Sequence, residues 1–161
     1  DALATALEGV DLHFSAEGKT CIGEDCVESE IRSMKVSSQV SPIAAVPYVR
    51  AFVDRKLHEL ASSGRVVMDG RDIGTHVLPN ADVKIYLTAS VECRANRRFK
   101  ELTEKGIACN YDEIAQDIQE RDTRDMNREI APLKKADDAV LVDSSDMTIE
   151  EVVKAITGLC R

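Results

Sequence analysis

Positive charge is scarce in this sequence as a whole. Against 29 Asp and Glu stand 21 Lys and Arg, leaving 161 residues with a formal net charge of −8. Non-specific grip on a duplex needs the opposite balance, so bulk DNA or RNA binding is disfavoured. No apolar run approaches the roughly 20 residues that span a bilayer, which leaves no membrane partner to expect. The opening Asp1-Ala2-Leu3-Ala4-Thr5 lacks the basic-then-apolar profile of a secretory leader, and no initiator Met is present. Five cysteines (Cys21, Cys26, Cys93, Cys109 and Cys160) form no Cys-x-x-Cys and have no His at a partnering spacing. Neither a zinc site nor a disulfide framework is expected, and scattered thiols suit a reducing cytoplasm. His13, His58 and His76 are too far apart to argue a catalytic pairing. Repeats and low-complexity segments are absent too. What remains is an ordinary globular mixture, 43% hydrophobic and 31% charged, long enough for one domain and a small appendage.

The patterning divides unevenly. Ala2–Leu7 reads as a short helix. Alternation in 10–14, a turn around Gly18 and Thr20-Cys21-Ile22 then read as a hairpin. A second short helix is expected near Val27–Ile31, and Ser37–Pro47 reads as irregular because Pro42 and Pro47 punctuate it. Pro47 suits the first turn of a helix running to Ser62, with Gly64 closing it. Val66-Val67-Met68 reads as a buried strand, ending in Asp69-Gly70-Arg71-Asp72. Val83–Leu87 is a second strand, followed by a helix from Ser90 to Lys105 that Gly106 stops. Asn110 with Glu113 opens a helix to Asn127. A third strand is expected over Ala139–Val142. Thr148 with Glu151 opens the last helix, which Gly158 ends. This order indicates an α/β domain with a mainly parallel sheet flanked by helices.

Arginine is concentrated where charge overall is not. Six of the twelve arginines fall within 94–128. Arg94, Arg97 and Arg98 share one helix face, and Arg121, Arg124 and Arg128 share a face of the next. Two readings stay open at this point. The stripes can be solvated, salt-bridged helix faces, with Asp122 and Asp125 as partners. They can also capture phosphate, which guanidinium forks match bidentately. Asp69-Gly70-Arg71-Asp72 follows the carboxyl end of a strand, the edge where open α/β sheets bind ligands, although a plain turn would look the same. Ser41 and Arg50 form a third, weaker cluster.

Four segments in order resemble the bacterial cytidylate kinase family: Ser41-Pro-Ile-Ala-Ala-Val-Pro-Tyr-Val-Arg50, Met68-Asp-Gly-Arg-Asp-Ile-Gly-Thr75, Val83-Lys-Ile-Tyr-Leu-Thr-Ala-Ser90 and the run from Glu120 through Arg128 to Leu133. The resemblance implies a P-loop nucleoside-monophosphate-kinase fold that transfers the ATP γ-phosphoryl, with Mg²⁺, to CMP or dCMP. It implies that Ser41, Arg50 and Asp72 read the cytosine edge. Arg121 and Asp125 would contact the ribose, and Arg71 and Arg128 would hold the acceptor phosphate. Arg94, Arg97 and Arg98 would lie in or beside a lid over ATP, about residues 91–128. Residues 1–40 correspond to the family's monophosphate-binding insertion and 41–161 to the kinase core. An intact member is expected to be a cytoplasmic monomer.

One family element is not in these residues. ATP binding in such kinases uses Gly-x-x-x-x-Gly-Lys-[Ser/Thr], whose amides cradle phosphate and whose hydroxyl holds Mg²⁺. The only Gly-Lys-Thr is Gly18-Lys19-Thr20; His13 stands where the first glycine belongs, and the context is a hairpin. The expectation is therefore an incomplete fold, without the family's first two strands and with exposed inner strand edges, having little or no kinase activity alone. Alternatives are a CMP-binding module without catalysis, a kinase for another pyrimidine monophosphate such as UMP, or an arginine-helix RNA binder, which the net charge disfavours.

Overall fold

A computed structural model describes residues 2–160, apart from the side chains of residues 2–4, 34 and 41. It divides into two compact units, Asp1–Val66 and Val67–Arg161.

The first unit opens with α1 (Ala2–Glu8), then an antiparallel sheet of β1 (Leu12–Phe14), β2 (Thr20–Ile22) and β3 (Asp25–Cys26) in that spatial order. The hairpin lies where alternation placed it. Ser15 N–H donates to Lys19 O at 2.8 Å, and Gly18 takes the positive φ (75°) that closes the turn. The short helix expected near Val27–Ile31 is a single 3₁₀ turn at Glu30–Arg32. Glu28 ties this turn back to the sheet: one carboxylate oxygen accepts from Thr20 N–H at 3.0 Å, the other from Arg32 Nε at 2.8 Å. The Thr20 amide first, and Arg32 second, hold the Glu28 carboxyl down at about 2.

The segment read as irregular is mostly helix. α2 spans Met34–Ala44, and its N-cap Ser33 accepts from Val36 N–H. Pro42 is tolerated because it sits in the last turn. There the chain tightens to three-residue bonds, with Ala45 and Val46 N–H donating to Pro42 and Ile43 carbonyls. α3 (Pro47–Ala61) starts on Pro47 as expected, and Gly64 follows it at φ 70°.

The second unit contains β4 (Ile85–Thr88), α4 (Val91–Glu104), α5 (Tyr111–Asn127), β5 (Val140–Asp143) and α6 (Ile149–Leu159). Its sheet is the parallel pair β4–β5, registered Ile85 with Val140 through Thr88 with Asp143. Ser90, Asn110 and Thr148 cap α4, α5 and α6 through their side chains, and Thr148–Glu151 forms a reciprocal capping box. Gly106 ends the α4 turn at φ 70°. Gly158 does not end α6, which runs to Leu159. Val66-Val67-Met68 is not a strand, and Val67 is 99% exposed. A strand exists only with a neighbour to complete its ladder, and no strand among the described residues pairs with this segment. The α/β class with a parallel pair holds; the sheet is smaller than the patterning suggests. Among the described residues no helix is long and apolar enough to cross a membrane.

Because folding depresses the Glu28 carboxyl from an ordinary 4.5 to about 2, its stabilisation is complete above pH 4.5 and lost as pH falls toward 2. Glu28→Gln is expected to lower the melting temperature at neutral pH, with the gap to wild type closing across that window. A gap that does not change with pH would show that the carboxylate's charge is not what holds the hairpin.

Candidate functional site

The second unit gathers five of its arginines around one concave surface. The α4–α5 connection, residues 105–110, is short enough to force neighbouring antiparallel helices. At one end of the pair, Phe99 and Tyr111 meet edge to face with centroids 6.2 Å apart. At the other, Arg94 grips Asp122 with both arms: Nη1 donates to Oδ1 at 2.9 Å and Nη2 to Oδ2 at 2.5 Å, while Nε donates to Ala89 O at 3.0 Å. Asp122 holds the Arg94 guanidinium well above its ordinary value, so its charge is permanent.

Between these helices and the turn after residue 68 lies a cavity of about 340 Å³. Arg71, Arg94, Arg97, Arg98 and Arg121 line it, with Glu101, Asp122 and Ile118. Five guanidinium groups line it with two carboxylates, and Asp125 behind Arg71 and Arg121 is a third, in a chain whose net charge is −8. Glu101 is further occupied by Lys105, the residue that caps the end of α4, which lowers its carboxyl below the usual range.

Two aspartates hold Arg71, Arg121 and Arg128. Asp125, 3% exposed, accepts from Arg71 Nε at 3.1 Å and faces Arg121 Nε at 3.8 Å through the same oxygen. Its backbone carbonyl accepts from Leu133 N–H, anchoring the chain that leaves α5. Asp72, 4% exposed, stands 3.3 Å from Arg128 Nη2, and its carbonyl receives the N–H groups of Thr75, His76 and Val77 in the π-type turn Ile73–Val77. Gly70 precedes that turn because a Cβ there would lie 2.8 Å from Ile73 Cγ1. Arg121 Nε and Arg128 Nη2 are buried and have no hydrogen-bond acceptor among the described residues; each faces its aspartate as an ion pair, while Arg128 Nε donates to Ala131 O.

Of the residues singled out in the sequence, Arg71, Arg94, Arg97, Arg98 and Arg121 come together at the cavity, and Asp72, Asp125 and Arg128 stand in the ion pairs just described. Arg97 also acts as a strut. Its Nη2 donates to Ser144 O at 2.6 Å, past the end of β5. Ser144 is the partner that sequence reasoning left without a role. Only its position just beyond the third strand hinted at it. Arg124, on the same predicted stripe, does not line the cavity. Arg50, in the first unit, pairs with Asp54 Oδ1 at 3.2 Å one helical turn along α3. Ser41 falls on α2, and its side chain lies outside the described residues. No group of three or more His, Cys, Asp or Glu able to hold a metal ion occurs among the described residues.

A model of the cytidylate kinase family matches residues 1–161. A cytidylate kinase of Bacillus licheniformis is 50% identical over 97% of the chain, and that match spans 71% of the relative's own length. Those of Phocaeicola vulgatus and an Exiguobacterium species are 44% and 48% identical, each over 98% of the chain, spanning 71% and 72% of their length.

The two aspartates differ in what their loss strands. Asp72→Ala would leave Arg128, only 8% exposed, without its counter-charge, at a cost of about 3–5 kcal/mol. Asp125→Ala would release Arg71 and Arg121, 42% and 38% exposed, which can turn to water, so about 2 kcal/mol is expected. Urea midpoints in the reverse order would refute this account of the pairs.

Proposed function

Because the chain belongs to the cytidylate kinase family, we propose that its arginine-lined cavity serves phosphoryl transfer from ATP to CMP or dCMP. The observation that carries this reading is the local gathering of positive charge: five guanidinium groups line one concave site in an otherwise acidic chain. Transfer of a phosphoryl group asks little covalent chemistry of a protein; it asks for positioning and for neutralisation of charge on the phosphate oxygens. Arg71 and Arg128 are assigned to the acceptor phosphate, Arg121 and Asp125 to the ribose, and Ser41, Arg50 and Asp72 to the cytosine edge. Arg94, Arg97 and Arg98 belong to a lid region, about 91–128, in a core of 41–161. Residues 1–40 form the acceptor-binding insertion.

The ion pairs support the assignment of Arg71 and Arg121 to one nucleotide. Asp125 holds both groups through one carboxylate oxygen, so they reach the ligand pre-positioned, with less side-chain freedom left to lose on binding. Mg²⁺ enters with the ATP phosphates. With no cluster of ligands among the described residues, no step is assigned to a metal held by this chain. The sequence contains no Gly-x-x-x-x-Gly-Lys-[Ser/Thr], so these 161 residues by themselves are proposed to bind the acceptor nucleotide without turning it over.

Isothermal titration of the chain with CMP, beside a coupled assay for ATP consumption, tests both parts. Heat with CMP and none with AMP, without turnover, is the expected outcome. Arg121→Ala should weaken CMP binding about tenfold or more, equivalent to about 1.4 kcal/mol. Arg97→Ala, which removes a strut to Ser144 and no contact assigned to CMP, should lower the melting temperature more than the CMP affinity. Equal heats from CMP and UMP would assign the site to pyrimidine monophosphates generally, and turnover by the chain alone would overturn the binding-only reading.

A further inference from the structure

The fold gives two of the cysteines a relationship that their sequence spacing conceals. β2 and β3 pair antiparallel, with Cys21 directly opposite Cys26 and Ile22 opposite Asp25. Gly23 and Glu24 form the connection, Gly23 at φ 57°. Ile22 and Asp25 close this two-residue loop, and Val27 N–H donates to Thr20 O at 2.9 Å on the far side. Ladder geometry alternates, so Cys21 and Cys26 are the non-hydrogen-bonded pair between them, where facing Cα atoms lie about 4.5 Å apart and side chains share one face. That falls within the span of about 4.4–6.8 Å that a disulfide bridges without backbone movement.

We propose that Cys21 and Cys26 constitute a reversible thiol–disulfide site in the first unit, taking two-electron oxidants of the peroxide class. Cys26 is exposed and Cys21 buried, 7% accessible, which fixes the order of events. The Cys26 thiol ionises and its thiolate attacks a peroxide oxygen; the O–O bond breaks, and the expelled hydroxide takes up the proton the thiol released and leaves as one water, giving a sulfenic acid on Cys26. The Cys21 sulfur then attacks the Cys26 sulfur and expels the hydroxyl group, which takes up the Cys21 proton and leaves as a second water. Two thiols and one hydrogen peroxide become one disulfide and two waters. Burial, and the neighbouring Cys26, push the Cys21 thiol above its ordinary value, consistent with its acting second.

His13 faces Cys21 from β1, so an imidazole and two thiols stand in one row across the sheet. They do not form a group able to hold a metal, and His13 Nδ1 instead lies 3.6 Å from Asp11 Oδ2. Redox chemistry is what the row supports. The other three cysteines lie in the second unit, on α4 (Cys93), in the α4–α5 connection (Cys109) and after α6 (Cys160).

The test is treatment of the whole chain with one equivalent of hydrogen peroxide, alkylation of remaining thiols, then cleavage after Glu24 and mass analysis. The Cys21 and Cys26 fragments should stay joined until reduced, and these two thiols should disappear at least about tenfold faster than Cys93, Cys109 or Cys160. Cys26→Ser, at an exposed position, should abolish the joined fragment and leave Cys21 alkylatable. In Cys21→Ser, dimedone should trap a sulfenic acid on Cys26. Fragments that separate without reductant, or a bridge formed preferentially to another cysteine or to a second copy, would overturn the proposal.

Discussion

Mutual repulsion of guanidinium groups is the constraint around which the second unit is arranged. Arg71, Arg94, Arg97, Arg98 and Arg121 share a single cavity, and their like charges would drive the segments apart without counter-charges set between them. Asp122 bridges α4 to α5 through Arg94, Asp125 ties α5 to the turn before Ile73, and Asp72 ties that turn to Arg128. These aspartates therefore fasten three segments as they neutralise. The neutralisation stops short of completion. The surplus is what a phosphate would use, and a fully balanced cluster would offer an incoming anion no advantage over water.

Much of the local structure was legible in the residues because its causes are local. Ser90, Asn110 and Thr148 announced helix starts, and Pro47 and Gly64 bracketed α3. Where causes are not local the reading failed. Val66-Val67-Met68 has the composition of a buried strand, but pairing is a property of two segments, and its own residues cannot supply the second. α2 was missed for a subtler reason. Two prolines in six residues argued against helix, yet Pro42 lies in the final turn, where few further bonds depend on its missing N–H.

The site shows the same division. Helical spacing placed Arg94, Arg97 and Arg98 on one face, and the structure puts all three at one cavity. What spacing could not reveal is how each is held. Arg94 is clamped by an aspartate 28 residues away, and Arg97 reaches 47 residues along the chain to Ser144. The stripe that looked uniform in sequence is thus divided between a helix clamp and a strut. On α5 the split is sharper, since Arg121 lines the cavity and Arg124 does not.

The two-stranded β4–β5 pair has a consequence for how the chain meets solvent deuterium. Val140 N–H donates to Lys84 O and Ser144 N–H to Thr88 O, so the even-numbered amides of β5 point into the ladder. The odd-numbered Leu141 and Asp143 amides point the other way, where no further strand is present among the described residues. Amide exchange along β5 would then follow a two-residue rhythm, slow and fast in alternation, rather than the uniform protection of a strand held on both sides. Such a rhythm, read residue by residue, distinguishes a sheet margin from a sheet interior without reference to coordinates.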